Sequence, residues 1–310
     1  MVIKKISFME PVLISGTNGF LGSHLAQFFI ENHTKIYGIH SGSSHNPKIE
    51  KIHDDILSIK NMPNDISTIF HFAALTDIGI CEKNPDRCFE VNVNGTKNML
   101  ELARKNDTRF IFASSSHVYG KPKSLPIDEN FPLNPLSVHA QSKVQAEILC
   151  EEYAKLYGMK INIIRTFSIY GPKSPSYSII SRIINQILKN QKIILGNMQT
   201  KRDFLFISDF LSAIIIIIKR NLIGCSKFNI GFGQSYSIQE LSEKLLEISK
   251  KNLFVESDPN LIRNNDVKEL VCNNSKLKKL GWKPQFTFDE GLTLVYDWFK
   301  SNSNSLANHT

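Results

Sequence analysis

Directly after an aliphatic run at residues 12–15, the chain reads Gly16-Thr17-Asn18-Gly19-Phe20-Leu21-Gly22 and continues into an amphipathic stretch through His24, Leu25 and Phe28. Few backbones need three glycines at this spacing between a strand and a helix. The first tolerates the tight turn out of the strand, the second lets backbone N–H groups approach a pyrophosphate, and the third lets helix and strand pack closely. The pattern therefore predicts a strand, loop and helix that open a parallel sheet and cradle a dinucleotide.

The rest of the first 170 residues repeats that rhythm. Short aliphatic runs at 35–39, 68–72, 109–113 and 160–165 read as further strands. Between them, apolar residues recur every three or four positions at 19–32, 91–106 and 139–157, the period of helices with one buried face. The fold class is α/β, a Rossmann-type doubly wound parallel sheet, which binds ligands beyond the carboxyl ends of its strands. After Pro172 the loops lengthen, with helical patterns at 179–190 and 238–250 and an isoleucine run at 214–218 that suits a buried strand or helix segment. We read 1–170 as a nucleotide-binding domain with a contribution from about 203–230, 171–300 as a smaller C-terminal substrate lobe, and 301–310, SNSNSLANHT, as a flexible tail.

With 42% hydrophobic residues in 310, the chain buries a full core and is not disordered. Its five-residue isoleucine run falls far short of the roughly 18–20 that span a bilayer, and residues 1–10 lack a signal-peptide pattern, so no membrane partner and a cytoplasmic address are expected. The five cysteines, Cys81, Cys88, Cys150, Cys225 and Cys272, show no metal-ligand spacing and read as reduced thiols, with no metal site. A net charge of +8 favours polyanionic partners. The doublets Lys4-Lys5, Lys250-Lys251 and Lys278-Lys279 are scattered, however, and read as solvated surface, which disfavours nucleic acid.

Further motifs follow the glycine loop: His71-Phe72-Ala73-Ala74, Asn92 with Gly95-Thr96, Ser114-Ser115-Ser116-His117-Val118-Tyr119-Gly120, the segment 165–172, and Arg202-Asp203-Phe204. In this order they resemble the extended short-chain dehydrogenase/reductases that modify nucleotide sugars, over about residues 10–298. The resemblance implies a Rossmann domain holding NAD or NADP and a small lobe clamping a nucleotide-diphosphate sugar. It places Gly16, Asn18, Gly19, Phe20, Leu21 and Gly22 along the coenzyme, with Asp55 and Ile56 at the adenine. Phe72, Ala73, Ala74, Phe167 and Lys143 join the same site, and Asn92 orders the catalytic region. The family's NAD users carry an acid at the end of the second strand, where this chain has His40-Ser41-Gly42-Ser43. Without a carboxylate to repel a 2′-phosphate, both NAD and NADP are admissible.

Oxidising or reducing a sugar carbon requires a group that takes or supplies the hydroxyl proton. The family uses a serine, a tyrosine and a lysine, the last two four residues apart on one helix face. Ser115 and Lys143 match the serine and lysine, but the tyrosine position holds His139. Tyrosine starts near pKa 10 and histidine near 6.5, and neighbouring cations keep an imidazole neutral. A neutral imidazole is a ready base for oxidation and a poor immediate donor for ketone reduction. Tyr119, Tyr170 and Tyr177 are alternative proton carriers. Ser116-His117 replaces the Asp-Glu pair of the family's 4,6-dehydratases, and no acid-base pair for C3 or C5 epimerisation is evident.

By the same resemblance, Ser116 and Ser168 face the sugar, Arg202 and Arg263 hold the diphosphate, and Asp266 accepts from a ribose hydroxyl. Helices at 91–106 and 139–157 pair across a two-fold axis in the family, so a homodimer is expected, with Leu100, Ala103, Ile148 and Leu156 as apolar positions, although core packing inside one subunit explains the same pattern. The leading expectation is an NAD(P)-dependent nucleotide-sugar C4 dehydrogenase with His139 as base. A 4-epimerase and a 4-keto reductase stand close behind it. A catalytically idle nucleotide or RNA binder is the reading from another class.

Overall fold

The computed structural model describes residues 10–42, 46–262 and 266–306, the last three of these by their backbone alone. In chain order the strands are β1 (Val12–Ser15), β2 (Ile36–Ile39), β3 (Glu50–His53), β4 (Thr68–His71), β5 (Arg109–Ser115), β6 (Ile161–Thr166), β7 (Ser168–Tyr170), β8 (Ile193–Leu195), β9 (Lys201–Phe206), β10 (Cys225–Ile230), β11 (Ser235–Ser237) and β12 (Val255–Ser257). The helices are α1 (Phe20–Glu31), α2 (Ile78–Lys83), α3 (Pro85–Phe89), α4 (Gly95–Lys105), α5 (Val138–Tyr157), α6 (Ile179–Leu188), α7 (Ile207–Lys219), α8 (Ile238–Ser249), α9 (Ser275–Lys279) and α10 (Phe288–Leu306).

Seven parallel strands form the main sheet in the order β10-β6-β5-β4-β1-β2-β3. Six of them follow the doubly wound order, whose direction reverses between β1 and β4. Strands buried on both faces need apolar residues at every position, and β1 shows it. Val12 and Ile14 enter the core beneath α1 and α7, while Leu13 points to the opposite core with Leu100 of α4 and Cys150 of α5. Register brings Ser15 level with Ile39 and His71, and Ser115 level with Thr166, so the strands end together along one rim. Two small sheets, β11-β9-β7 and β12-β8, extend the structure beyond that rim.

The isoleucine run is helical. It forms α7, with Ile214, Ile215, Ile217 and Ile218 buried. The 91–106 pattern divides into a π-helical turn at Glu90–Asn94 followed by α4; such turns are frequent at functional sites.

Three expectations need correction. Cys81 and Cys88 form a disulfide: α2 and α3 meet at Asn84-Pro85, where Asn84 caps α3, and the fold-back leaves the two Cα atoms 5.2 Å apart. Cys150, Cys225 and Cys272 are free thiols. Residues 301–306, expected as tail, belong to α10, which continues to Leu306 with the Asn302 amide donating to the Trp298 carbonyl. Leu100 and Ala103 are wholly buried in the chain's own core, whereas Ile148 and Leu156 of α5 are exposed. Among the described residues, no helix is long and apolar enough to cross a membrane.

Candidate active site

At the rim, the glycine loop is fixed by close approach. Gly16 has φ +80°, and a Cβ there would lie 2.9 Å from the Ala73 nitrogen, so the loops after β1 and β4 touch. A Cβ on Gly22 would sit 2.1 Å from the Gly16 carbonyl oxygen, so α1 starts directly under the turn. Gly19 is the N-cap of α1 and has no side-chain capping bond, and the first turn carries no acid. Backbone N–H groups at an uncapped helix start, beside the reversal of strand order, suit a pyrophosphate.

The other residues expected along the coenzyme border this loop. The Asn18 amide donates to the Ser41 carbonyl at 3.3 Å, and buried His40 at the end of β2 meets the Thr17 hydroxyl through Nδ1 at 2.6 Å. Asp55 follows β3 and accepts from the Leu57 amide, while buried Ile56 packs where a Cβ on Gly95 would stand. Phe20 and Leu21 pack partly into the core under α1. Phe167 is buried with Val118, Tyr119 and Ile127. Ser43 and Arg263 lie outside the described residues.

A chain of buried hydrogen bonds runs from the glycine loop to α5. Ser15 Oγ accepts from the Phe72 and Ala73 amides, so its own proton points to His71 Nδ1 at 2.7 Å. Nε2 of His71 then carries the ring proton and donates to Thr96 Oγ at 3.0 Å, and Thr96 donates to the Asn92 carbonyl at 2.6 Å. His71 is neutral: burial, then the nearby Lys143 cation, pushes its pKa down to about 3. The Asn92 side chain exchanges bonds with both backbone groups of Leu75 and donates to Ser142 Oγ at 2.9 Å. Ser142 in turn donates to the His139 carbonyl at 2.7 Å. Sequence reasoning assigned Asn92 an ordering role but passed over Ser142, whose signal is a small hydroxyl three residues after His139 on the inward face of α5.

Ser137 caps α5 by accepting from the Ala140 amide, placing His139 in the first turn. His139 is 5% exposed, and neither ring nitrogen has a hydrogen-bond partner. Burial first, then the charges of Lys143 and His117, push its pKa down to about 3. Lys143, one turn on, is buried over the Phe112 ring and donates to the Ala113 carbonyl at 2.8 Å. Desolvation lowers its pKa to about 8, so it remains a cation at neutral pH. Ser115 ends β5 and its Oγ accepts from the His117 amide. The short helix that follows, Ser116–Tyr119, brings the His117 ring edge-on to His139, centroids 6.4 Å apart. These residues combine a neutral buried imidazole, a hydroxyl and an ammonium group, which is a proton-accepting set with no carboxylate.

Two of the alternative tyrosines are structural. Tyr119 donates to Asn229, accepts from Arg165, and is pushed up to about 12 by burial. Tyr170 donates to the Phe288 carbonyl, and burial raises its pKa strongly. Tyr177 is exposed and bonds Thr76 across the rim at 3.0 Å. Ser116 is buried, and Ser168 is half-buried at the start of β7. Arg202 and Asp266, expected to bind different parts of the nucleotide, are joined by a 2.6 Å ion pair, and Arg202 also donates to the Val267 carbonyl. Among the described residues no group of three or more His, Cys, Asp or Glu side chains is placed to hold a metal ion. A separate cavity of about 460 Å³, lined by Arg109, Lys160 and Asn221 among others, lies at the opposite ends of the strands.

The model of the GDP-mannose 4,6 dehydratase family matches residues 13–295. A protein of Methanocaldococcus jannaschii named Putative UDP-glucose 4-epimerase is 34% identical over 313 residues, covering 95% of this chain and all of that one. UDP-glucuronic acid decarboxylase 3 of Arabidopsis thaliana is 29% identical, covering 97% of this chain and 93% of its own. Among solved structures, UDP-glucuronic acid 4-epimerase of Bacillus cereus, in complex with UDP-glucuronic acid and NAD, superposes with a TM-score of 0.86 at 27% identity, covering 94% of this chain and 99% of that one. The chain belongs to the GDP-mannose 4,6 dehydratase family, among the extended short-chain dehydrogenase/reductases that modify nucleotide sugars.

Proposed function

We propose that this protein is an NAD(P)-dependent nucleotide-sugar oxidoreductase that oxidises a secondary alcohol at C4, with His139 in place of the usual tyrosine base. The observation that carries the reading is His139 itself, a neutral imidazole with both ring nitrogens unbonded, one helical turn from Lys143.

The coenzyme fits the cradle. The backbone of Gly16 and of residues 18–22 would hold the pyrophosphate, with His40 at the adenosine ribose, Asp55 and Ile56 at the adenine, and Lys143 at the nicotinamide ribose. Phe72, Ala73 and Ala74 would border it from the end of β4. When bound, the nicotinamide supplies the two-electron acceptor. Ser115 orients the C4 hydroxyl, and His139 takes its proton. Burial, and then the Lys143 cation, keeps His139 deprotonated. The hydrogen-bond chain through Asn92 and Ser142 fixes the helix turn that carries the base. Arg202 and Asp266, as one pair, would form the wall against the nucleotide. We also propose a homodimer through α4 and α5, supported by exposed Ile148 and Leu156.

A panel of UDP-, GDP-, dTDP- and CDP-sugars, each with NAD⁺ and with NADP⁺, tests the reading by absorbance at 340 nm. His139→Ala should lower kcat about 10²–10⁴-fold, the usual worth of a positioned base. Unchanged turnover in that variant removes the assignment. The Methanocaldococcus jannaschii protein named Putative UDP-glucose 4-epimerase and the UDP-glucuronic acid 4-epimerase of Bacillus cereus support a second reading, oxidation and re-reduction at C4. That reading predicts an inverted product sugar and no accumulation of reduced coenzyme. A protein that binds nucleotide and turns over none of the panel would instead be the idle binder.

A further inference from the structure

The Cys81–Cys88 disulfide lies against the hydrogen bonds that seat His139. Cys88 Sγ is 3.7 Å from Ser142 Oγ and 3.5 Å from Asn92 Nδ2, and Cys81 Sγ is 3.7 Å from the Leu75 carbonyl oxygen. Asn92 donates to both that carbonyl and Ser142, and Ser142 spends its own proton on the His139 carbonyl. A second route runs through Glu82, the residue after Cys81, which accepts from the amide of Val138, the first residue of α5. In the disulfide neither sulfur carries a proton, so the contacts to Leu75 and Ser142 are packing alone. In the dithiol both sulfurs become donors, and each has an acceptor already in reach, the Leu75 carbonyl for Cys81 and the Ser142 oxygen for Cys88. Both cysteines are wholly buried, but all six residues between them, 82–87, are exposed and form the turn between two helices of only six and five residues. Surface elements this short open locally far below the cost of global unfolding, which lets a small reductant reach the bond.

We propose that Cys81 and Cys88 form a reversible thiol–disulfide exchange site, opened by a dithiol, whose state sets the seat of His139; its effect on turnover rests on the reading of His139 as the base. In the step, a thiolate of the dithiol attacks one protein sulfur, the S–S bond breaks and a mixed disulfide forms. The second thiol of the reagent then displaces the protein sulfur and closes a disulfide of its own. Two electrons pass from the dithiol to the protein, and its two protons end on Cys81 and Cys88. A small disulfide reverses the exchange. With the covalent tie gone, α2 shifts against α3 and carries Glu82 with it. The Cys88 thiol also takes a lone pair of Ser142 Oγ, the hydroxyl that holds the base turn. The two cysteines are positioning residues, acting on His139 through Ser142 and Glu82.

Parent protein held in dithiothreitol without denaturant, then acid-quenched, unfolded and alkylated, should carry alkyl groups on all of its cysteines, whereas untreated protein carries them on Cys150, Cys225 and Cys272 alone. Cys81 and Cys88 left unmodified after treatment overturn the proposal. On the same two samples, amide hydrogen exchange over residues 137–143, read by mass spectrometry, should be at least about tenfold faster in the reduced protein. Equal exchange overturns it as well, and neither of these arms needs coenzyme or substrate. The double change Cys81→Ser with Cys88→Ser sets a hydroxyl donor where each thiol would stand, so it should exchange at the reduced rate with or without dithiothreitol. Exchange at the untreated rate overturns the proposal, and should that variant fail to fold, the parent samples decide. In turnover, dithiothreitol should lower kcat about tenfold with KM within about twofold, and oxidised glutathione should restore it. An unchanged kcat, or a rise in KM alone, overturns the link to His139. If the parent turns over no sugar of the panel, it is the oxidation reading that fails, and alkylation with amide exchange still decides whether the disulfide sets this turn.

Discussion

The Arg165 guanidinium grips the Glu147 carboxylate in a buried two-pronged ion pair, Nη2 to Oε2 at 2.6 Å and Nε to Oε1 at 3.0 Å, with each side chain 1% exposed. It ties α5 to β6 one turn beyond Lys143, and Ser114 and Tyr119 complete the bonding of the two charges. Removing one partner leaves an uncompensated charge in the core. Glu147→Met should therefore lose about 3–5 kcal/mol of stability, whereas the double change Glu147→Met with Arg165→Leu should lose much less than the two single changes, Glu147→Met and Arg165→Leu, summed. Urea unfolding of the four proteins measures this. Additive losses in the double variant would show that the pair is not coupled.

Two buried imidazoles set the acid limit of the fold. His71 and His139 are both held at about pKa 3 by burial and by Lys143. In the unfolded chain each takes up a proton below about pH 6.5, and in the folded chain neither does until about pH 3. Between those values the unfolded state binds more protons, so stability rises with pH and is lost as pH falls. The slope should be about 1.4 kcal/mol per pH unit for each imidazole. Comparing unfolding midpoints at pH 7.5, 6.0 and 5.0, His139→Gln should show a slope shallower by about one proton. Superimposable slopes would mean that His139 is not neutral by burial.

What can be read from the chain is what is local. The run at 12–15 with Gly16, Gly19 and Gly22 specifies β1, the loop and α1 because turn geometry and strand burial act within twenty residues. The edge strand β3, Glu50-Lys51-Ile52-His53, carries no aliphatic run and leaves no periodic trace. The meeting of Arg202 with Asp266, and of Cys81 with Cys88, depends on how separate elements fold back, which spacing alone does not encode. Leu100 and Ile148 show the same limit from the other side. Both lie on apolar helix faces, yet one is core and the other surface, and only packing separates them. At the site, His139 is visible as a substitution in a motif, but its lack of any bonded partner emerges only from the packed structure.

Asn92 and Ser142 join the glycine-loop side of the molecule to His139, the proposed base. The Asn92 amide satisfies both backbone groups of Leu75 and anchors Ser142, whose hydroxyl holds the His139 carbonyl. Ser142→Ala removes that tether while leaving the imidazole in place. It should cost about 1–3 kcal/mol in stability from the buried groups left unbonded, and lower kcat more than it raises KM. A rise in KM alone would place Ser142 in substrate binding instead. Ser142→Thr, which keeps the hydroxyl, should recover part of kcat.

The cradle makes a separate demand on Gly22, which lies inside a helix where alanine is ordinarily the better residue. A Cβ there would stand 2.1 Å from the Gly16 oxygen and 2.8 Å from its carbonyl carbon, both backbone atoms that no rotamer change can move. Gly22→Ala must therefore push the loop off α1, opening the turn whose N–H groups would face the pyrophosphate in the proposed coenzyme site. Coenzyme affinity, followed by quenching of intrinsic fluorescence, should fall at least tenfold for both NAD⁺ and NADP⁺, because the pyrophosphate is common to the two. Gly42 offers the control. A Cβ there meets nothing within 4 Å, and although its φ of +87° strains any side chain locally, Gly42→Asn should keep coenzyme binding within about threefold. Equal losses in the two variants would show that the effect at Gly22 is general unfolding rather than displacement of the loop.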